Sequence, residues 1–494
     1  MQRMMLTIAV LLLPALAMAQ SRRPAPEAPA SAAEPAPARP PQTPSSVTHQ
    51  TIATPGGSIA FTAVVETVNL NGANAQPQAQ AVTTAFLRDG AEAERRPVTF
   101  VFNGGPGYAS AWLNLGALGP WRLKMDQDAT EPSADVAPVD NTETWLEFTD
   151  LVFIDPPGTG YARLLVESEE ARKRFWGVNG DINAIAETIR RWLADHHRMA
   201  SPKYVVGESY GGFRGPRVVR ALAMEDGVGV RGLVLISPVL DFGTSTVFDP
   251  LSWVWALPSE VAAVRARKGP VSREDLADVE QYAAGDYLVD VVRGNADPKA
   301  VERRIARVAA LTGLDPALLR ERRGEVNNFE FSRTLEREAR RVTSLYDLTV
   351  SKPDAYPAQA FGANPDAQRD ALRAPMASAM VDIYDRKLNW HGDAVYEVGN
   401  QTVERQWDYG RGPQSFSTLR TDLAADPGLH VLVAHGLYDL VTPYFRTKVM
   451  LDQIEPEAGG DRLRLIVLPG GHMFYSRDES RVALRDAARA MYAK

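Results

Sequence analysis

Gly207-Glu208-Ser209-Tyr210-Gly211 follows a β-rich run at 204–206 and precedes a helical stretch through Arg217, Val218 and Val219. A serine on a tight strand-to-helix turn is forced into a strained backbone conformation, with its hydroxyl projecting where it can attack a carbonyl carbon. Small residues at 207 and 211 leave room for the turn, and the same turn aims the N–H of Tyr210 at the point where negative charge develops. The chemistry of such a serine is acyl transfer. It requires a base, an acid to orient the base, and a second amide facing the oxyanion.

Among the seven histidines, His472 has the setting a base needs. It lies in Pro469-Gly470-Gly471-His472-Met473, a glycine-rich loop directly after the apolar run 463–468. His430 and His435 bracket the run 431–433 and read as strand-end residues. His196 and His197 are helix neighbours that point different ways, so they suit neither a metal pair nor a triad. For the acid, Asp439 follows the run 431–433 after Gly436-Leu437-Tyr438, with Thr442-Pro443 behind it, while Asp241, after the run 233–236, competes for the role. The acid would hold the Nδ1–H of His472 and stabilise the imidazolium without taking the proton. The second amide has a source in Asn103-Gly104-Gly105-Pro106-Gly107, which continues the run 98–102. Its glycines let the backbone approach a substrate closely, and the N–H of Gly105 would join that of Tyr210 in an oxyanion hole. No Gly-Lys-Ser/Thr follows, so this is not a phosphate loop.

These residues meet only if the runs that carry them lie side by side. The runs at 98–102, 151–154, 204–206, 233–236, 431–433 and 463–468 are continuously apolar and not alternating, which predicts strands buried on both faces. Helical stretches such as 182–193 fall between several of them, so the fold class is α/β with a mostly parallel central sheet. A further strand is predicted at 59–68, after the Pro55-Gly56-Gly57 turn. The texture then changes between 242 and 401. Ser272 with Asp275 forms a capping signal, Asp297-Pro298 and Asp315-Pro316 each place a cap before a first-turn proline, and Val301, Ile305, Val308 and Leu311 recur at helical spacing. This predicts a core at 47–241 and 402–494, interrupted by a helical cap insertion at 242–401; an independent helical domain is the competing reading.

Four motifs in order carry a resemblance: 103–107, the stretch 151–161 with its Asp155-Pro156-Pro157-Gly158-Thr159-Gly160-Tyr161, 207–212, and Gly471-His472-Met473. Together they resemble the serine carboxypeptidase family, the group of carboxypeptidase Y and the plant carboxypeptidases, over about 98–475 with a weakly matched middle. The resemblance implies an α/β-hydrolase fold with an inserted helical cap over the active site. It implies Ser209, Asp439 and His472 as the triad and the amides of Gly105 and Tyr210 as the oxyanion hole. It also implies Asn103, Gly104 and Glu208 as substrate-binding positions, with Asn103 and Glu208 gripping the terminal carboxylate of a peptide. A carboxyl beside a bound carboxylate does not stay ionised cheaply, so a protonated Glu208 would donate a hydrogen bond and favour an acidic optimum. Three positions depart from the family: Phe102 replaces a usual tryptophan, Ala117 stands where a glutamate often assists carboxylate recognition, and Tyr108 stands where a disulfide cysteine is usual.

Arg3, an apolar run at 4–13, Pro14 and the small-residue site Ala17-Met18-Ala19 read as a secretory signal peptide at 1–19, an uncleaved anchor being the alternative. The Pro/Ala-rich stretch at 20–46 reads as a linker that cannot bury enough surface to fold. The expected location is therefore periplasmic or extracellular, with no stable membrane span after signal cleavage. The chain has no cysteine, so disulfides, thiolate metal ligands and a cysteine nucleophile are excluded. A formal charge of -7 gives no support to a nucleic-acid partner. The expected partner is a peptide or small acyl substrate, and no metal or organic cofactor is called for. The expected reaction is C-terminal peptide hydrolysis through an acyl-enzyme. An esterase or acyltransferase on the same triad, and a catalytically silent exported binding protein, are the alternatives.

Overall fold

The computed structural model describes residues 44–72, 75–125, 131–133, 137–242, 249–358, 365–392, 394–411 and 413–494. The predicted signal peptide and nearly all of the predicted linker lie outside the described residues. The predicted runs become the strands β2 (Gly57–Asn71), β4 (Val98–Phe102), β5 (Asp150–Asp155), β6 (Lys203–Glu208), β7 (Gly232–Ile236), β8 (His430–Gly436) and β9 (Leu463–Leu468), and two strands are added, β1 (Ser46–Thr54) and β3 (Pro77–Arg88). They form one sheet in the order β1-β2-β3-β5-β4-β6-β7-β8-β9, with the short piece Arg163–Leu164 on β3 as its tenth strand. From β5 across to β9 every pairing is parallel. The pairings β1-β2, β2-β3 and β3-β5 are antiparallel. This is the α/β-hydrolase architecture.

Every residue of β4 and β7 is buried, because helices cover both faces of the sheet. On one face Phe61, Phe86, Trp121 and Phe153 pack with Leu372 and Met376 of the helix Arg369–Asp382 and Leu484 of the helix Asp478–Tyr492. On the other, Phe100, Val205, Leu233 and Val433 pack with Ile185 and Trp192 of the helix Val178–Asp195 and Val218 of the helix Tyr210–Met224. Continuous apolar strands are the direct consequence. β1 and β3 carry no such run, and neither was predicted. β1 buries Ile52 as its one fully enclosed residue, and β3 reads as Ala, Gln and Thr although eight of its twelve positions are buried. Two of its polar side chains find partners: Thr84 Oγ1 meets the Tyr384 hydroxyl at 2.8 Å and Gln80 Nε2 donates to Asn69 at 2.9 Å.

Residues 42–494 form one compact unit. Within it, the helices Leu251–Ala266 and Pro298–Thr312 share a third apolar cluster with Phe331 and with Leu437, Tyr444 and Phe445, which follow β8. Two of the predicted caps form, Asp297 accepting from the N–H of Lys299 and Ala300 and Asp315 from Ala317, whereas Asp275 accepts from the N–H and hydroxyl of Ser272 without Ser272 capping a helix N–H. The buried stripe of Pro298–Thr312 is turned from the predicted one. It runs Ala300, Arg304, Val308, Thr312, with Val301, Ile305 and Leu311 half-buried beside it. Arg304 is fully enclosed because Glu325 (3.2 Å) and Asn295 (2.9 Å) receive its guanidinium. Among the described residues no helix is long and apolar enough to cross a membrane.

Phe100, in the sheet centre, meets Trp192 edge-on at 5.5 Å and is fully buried. Phe100→Ala should lower the unfolding free energy by about 3–5 kcal/mol, the usual cost of emptying such a site. Urea denaturation with an unchanged m-value checks this, and a loss under 1 kcal/mol would contradict the packing.

Candidate active site

β6 ends at Glu208 and the helix Tyr210–Met224 begins two residues later, leaving Ser209 to make the turn at φ 59° and ψ −119°. That conformation costs a non-glycine residue about 1–3 kcal/mol and persists only where its surroundings dictate it. Here the Ser209 N–H donates to Ile236 O of β7 at 2.9 Å, and the Ser209 carbonyl accepts from Gly212 (2.9 Å) and Val239 (3.2 Å). Gly207 is required by close approach: a Cβ there would lie 2.1 Å from the Gly211 carbonyl oxygen.

The loop 103–107 leaves β4 and crosses directly over this turn. A Cβ on Gly104 would stand 2.5 Å from Tyr210 N, 2.6 Å from Glu208 O and 2.9 Å from Ser209 Cβ. The structure thus brings Gly104 together with Ser209 and Tyr210, with Gly105 next to it along the loop. The three family departures are all enclosed or packed. The Phe102 ring lies beneath the Arg214 guanidinium at 5.2 Å, Ala117 is buried with its carbonyl held by Asn141 Nδ2 at 2.9 Å, and Tyr108 bridges to Gly399.

Asp439 and His472 come together because the loops beyond β8 and β9 stay zipped past the strand ends. Leu437 N–H donates to Leu468 O and Tyr438 N–H to Gly470 O, both at 2.9 Å. His472 Nδ1 then lies 2.8 Å from Asp439 Oδ2. The other carboxylate oxygen accepts from the N–H of Val441 (2.7 Å) and Thr442 (3.0 Å), and the Thr442 hydroxyl donates to Oδ2 at 2.6 Å. The backbone of His472 is fixed as well: its N–H donates to Tyr346 O at 2.5 Å and its carbonyl accepts from Ser237 Oγ at 2.8 Å. Ser237 directly follows Ile236, the acceptor for Ser209, so the base and the serine are hung from adjacent residues, the last of β7 and the one after it. The competing Asp241 bridges to Gln414 instead, and its carbonyl accepts from Arg446. His196 meets Glu66 at 2.8 Å and stacks on Trp192. His435 is fully buried, and burial pushes it down to about 4, so it stays neutral.

Glu208 is 3% exposed, which excludes a solvated elbow residue. Asn103 Nδ2 donates to its Oε2 and the Tyr475 hydroxyl to its Oε1 at 2.9 Å, while Asn103 Oδ1 accepts from Leu113 N–H at 3.0 Å. The predicted pair therefore comes together, with Tyr475 as a third member. Sequence reading passed over Tyr475 because Met473-Phe474-Tyr475 looks like core, and over Thr442 because it looks like the rim of a turn. The spacing of Tyr475, three residues beyond His472 in the same loop, was the available clue.

Burial pushes Glu208 up to about 7, against the pull of the His472 charge and the bonds from Tyr475 and Asn103. Burial would also raise Asp439, but the His472 charge and the bonds from His472 and Thr442 outweigh it and hold the carboxyl below its ordinary value. For His472 burial acts downward, and Asp439, helped by Glu208 and Asp366, outweighs it and raises the imidazole. Replacing Asp439 by Asn removes the largest upward contribution and leaves burial dominant. In Asp439→Asn the His472 resonance, followed by NMR in histidine-labelled protein, should titrate at lower pH than in the native chain; a midpoint that stays or rises contradicts the assignment.

A sequence profile described as serine carboxypeptidase matches residues 85–462. Serine carboxypeptidase-like 3 of Arabidopsis thaliana is 27% identical over 168 residues, covering 32% of this chain and 36% of that protein. The pheromone-processing carboxypeptidase KEX1 of Metarhizium robertsii is 30% identical over 132 residues, covering 26% of this chain and 19% of that protein. The chain spans about a third of the length of the first of these relatives. Among solved structures, esterase E22 aligns over 92% of this chain and 99% of its own, with a TM-score of 0.38 and 10% identity. With more than half of its length matched by the profile, the chain belongs to the serine carboxypeptidase family.

Proposed function

We propose that this protein is an exported serine carboxypeptidase that removes C-terminal residues from peptides. Ser209 Oγ attacks the scissile carbonyl and passes its proton to His472, whose Nδ1–H is held by Asp439. The carbonyl oxygen becomes an oxyanion facing the amides of Gly105 and Tyr210. When the C–N bond breaks, His472 gives the proton to the leaving amine, and the acyl group stays on Ser209. Water, deprotonated by His472, then attacks the ester and regenerates the serine. The observation that carries the reading is the buried Glu208, bonded by Asn103 and Tyr475 beside the strained serine. An ordinary hydrolase has no need of an enclosed acid there, whereas a terminal carboxylate needs a donor. Gly104 lies between the two and would line the same subsite. Export rests on the leader at 1–19, and the region 242–401 would close the pocket so that a chain end alone fits.

The esterase or acyltransferase reading is favoured by one observation: Ala117 is buried and offers no side-chain donor where the family often has a glutamate. A blocked dipeptide with a free C-terminus, compared with its C-terminal amide, separates the two. The acid should be cleaved about 30-fold faster or more at pH 5, from ~2 kcal/mol for hydrogen bonding to a charged group, and equal rates would remove the exopeptidase assignment. Labelling by a fluorophosphonate, lost in Ser209→Ala, is expected of the enzyme, and an inert native chain would leave only the silent binding protein.

The pH dependence has a definite sign. Below about 7 Glu208 is protonated and donates to the substrate carboxylate; above it the ionised carboxyl repels that carboxylate. Both substrates need the same state of His472, so the acid-to-amide ratio of kcat/KM isolates Glu208. That ratio should fall as pH rises through about 7 in the native enzyme. In Glu208→Gln it should be flat, and a parallel fall there would assign the titration to another group.

A further inference from the structure

Beneath the serine turn, five residues along its helix, Arg214 is completely buried. Its Nε and Nη2 donate to the two carboxylate oxygens of Asp181 at 2.7 and 2.9 Å, and its Nη1 donates to the backbone carbonyl of Asn103 at 2.7 Å. The guanidinium also lies 5.2 Å from the Phe102 ring centre and 5.1 Å from that of Tyr210. Asp181, itself buried in the first turn of the helix Val178–Asp195, balances the charge. A buried cation with a bidentate carboxylate is electrically complete. The bond to Asn103 and the contacts with two rings are additional to that pairing.

What those additional contacts touch is specific. None of them reaches Asp439 or His472, which are held by Thr442, Ser237 and Tyr346. Asn103 begins the loop whose Gly105 amide is one proposed oxyanion donor, and Tyr210 carries the other. At Gly104 the two segments already approach so closely that a Cβ would overlap Tyr210 N. One flat cation therefore contacts both arms of the oxyanion hole from below. A planar fork fixes direction as well as distance, which a lysine cannot do.

We propose that Arg214, oriented by Asp181, is a positioning residue that sets the spacing between the two oxyanion amides. This rests on the carboxypeptidase reading of Ser209. Donors placed for the transition state act on kcat and leave substrate binding nearly untouched, so a misplaced pair lowers kcat at constant KM.

The test uses two variants of the full chain. Arg214→Lys keeps the charge and loses the fork. The double variant Arg214→Met with Asp181→Leu removes the ion pair as a unit, an exchange that well-packed apolar residues commonly tolerate or improve. For each, thermal unfolding, kcat and KM on the blocked dipeptide are measured, with inhibition by a peptide boronic acid and by a blocked amino acid product. Ser209 Oγ adds to the trigonal boron and gives its proton to His472, so the tetrahedral adduct keeps both boron hydroxyls and presents one of their oxygens to the two amides. Both variants should fold, with kcat at least about 10-fold lower, KM within about threefold, boronate affinity reduced by the same factor as kcat, and product affinity unchanged; removal of a whole oxyanion donor costs ~100-fold or more. A folded double variant with native kcat and boronate affinity would falsify the role, and a rise in KM at native kcat would do so too. A double variant that does not fold also overturns it, by making the pair a requirement of the fold as a whole. A native chain inert to fluorophosphonate sinks the carboxypeptidase reading itself, whereas a reactive native chain matched by the double variant sinks Arg214 alone.

Discussion

Ser209 sits in a conformation that an L-residue leaves unless its neighbours forbid it, and the central sheet is what forbids it. Its N–H is spent on Ile236 of β7, its carbonyl on the next turn of the helix, and the glycine before it admits the Gly211 carbonyl. The strain is sustained because β6 and β7 are paired along their whole length up to Glu208 and Ile236. Every other part of the site is referenced to the same two strand ends. Ser237 holds the His472 carbonyl, Glu208 is the last residue of β6, and the loop 103–107 leaves β4, which pairs with β6 as far as Gly207. Parallel strands that end at one level deliver these groups to one rim, which is where open α/β sheets bind ligands.

That rim encloses three titratable groups in little water, and their states are linked. Asp439 is held ionised by four donors at 2.6–3.0 Å, including His472 itself. Glu208 is a different kind of carboxyl: burial pushes it up to about 7, and the His472 charge and its two donors, Asn103 and Tyr475, offset that only in part. Two acids in one site are thus driven apart by environment, one kept charged against the imidazole and one close to neutrality, the division that acid–base sites commonly use. Protonation of Glu208 also withdraws a negative charge that helps to raise His472, so the two groups titrate as a coupled pair.

The site was more legible in the sequence than the sheet. Ser209, His472 and the glycine loop announce themselves because close backbone approach leaves few residue types possible, and glycine marks such places. Asp439 over Asp241 followed from loop order, and the structure puts Asp439 on His472. The strands beside the site were read from continuous apolar runs, which burial on both faces demands. β1 and β3 escaped because their burial comes from neighbours, and in β3 Gln80 and Thr84 are paired with an Asn69 amide and the Tyr384 hydroxyl, so hydropathy gives no warning. Arg214 and Tyr475 escaped for a related reason: each acts through a partner distant in sequence, and a lone polar residue in an apolar stretch carries no mark of what it will meet, while Thr442 acts on Asp439 three residues before it from what looks like an ordinary turn.

The helical region between 242 and 401 was read as a unit laid over a core, and its contacts argue for something tighter. The segment at 345–348 donates or accepts main-chain bonds with three residues of the catalytic loops: Leu345 O receives Leu440 N–H at 3.0 Å, Leu348 N–H goes to Tyr438 O at 3.2 Å, and Tyr346 O receives His472 N–H. Asn328 adds a bond to Leu440 O at 2.8 Å, and the Tyr346 ring meets the His472 imidazole edge-on at 5.2 Å. The apolar cluster of this region is closed by Leu437, Tyr438 and Leu440, the residues flanking Asp439. Acid and base are therefore gripped from both sides, by β7 through Ser237 and by the inserted chain through 345–348. A region so bound to the loops of Asp439 and His472 has few ways to move without moving them, and its packing is part of what holds the imidazole in register.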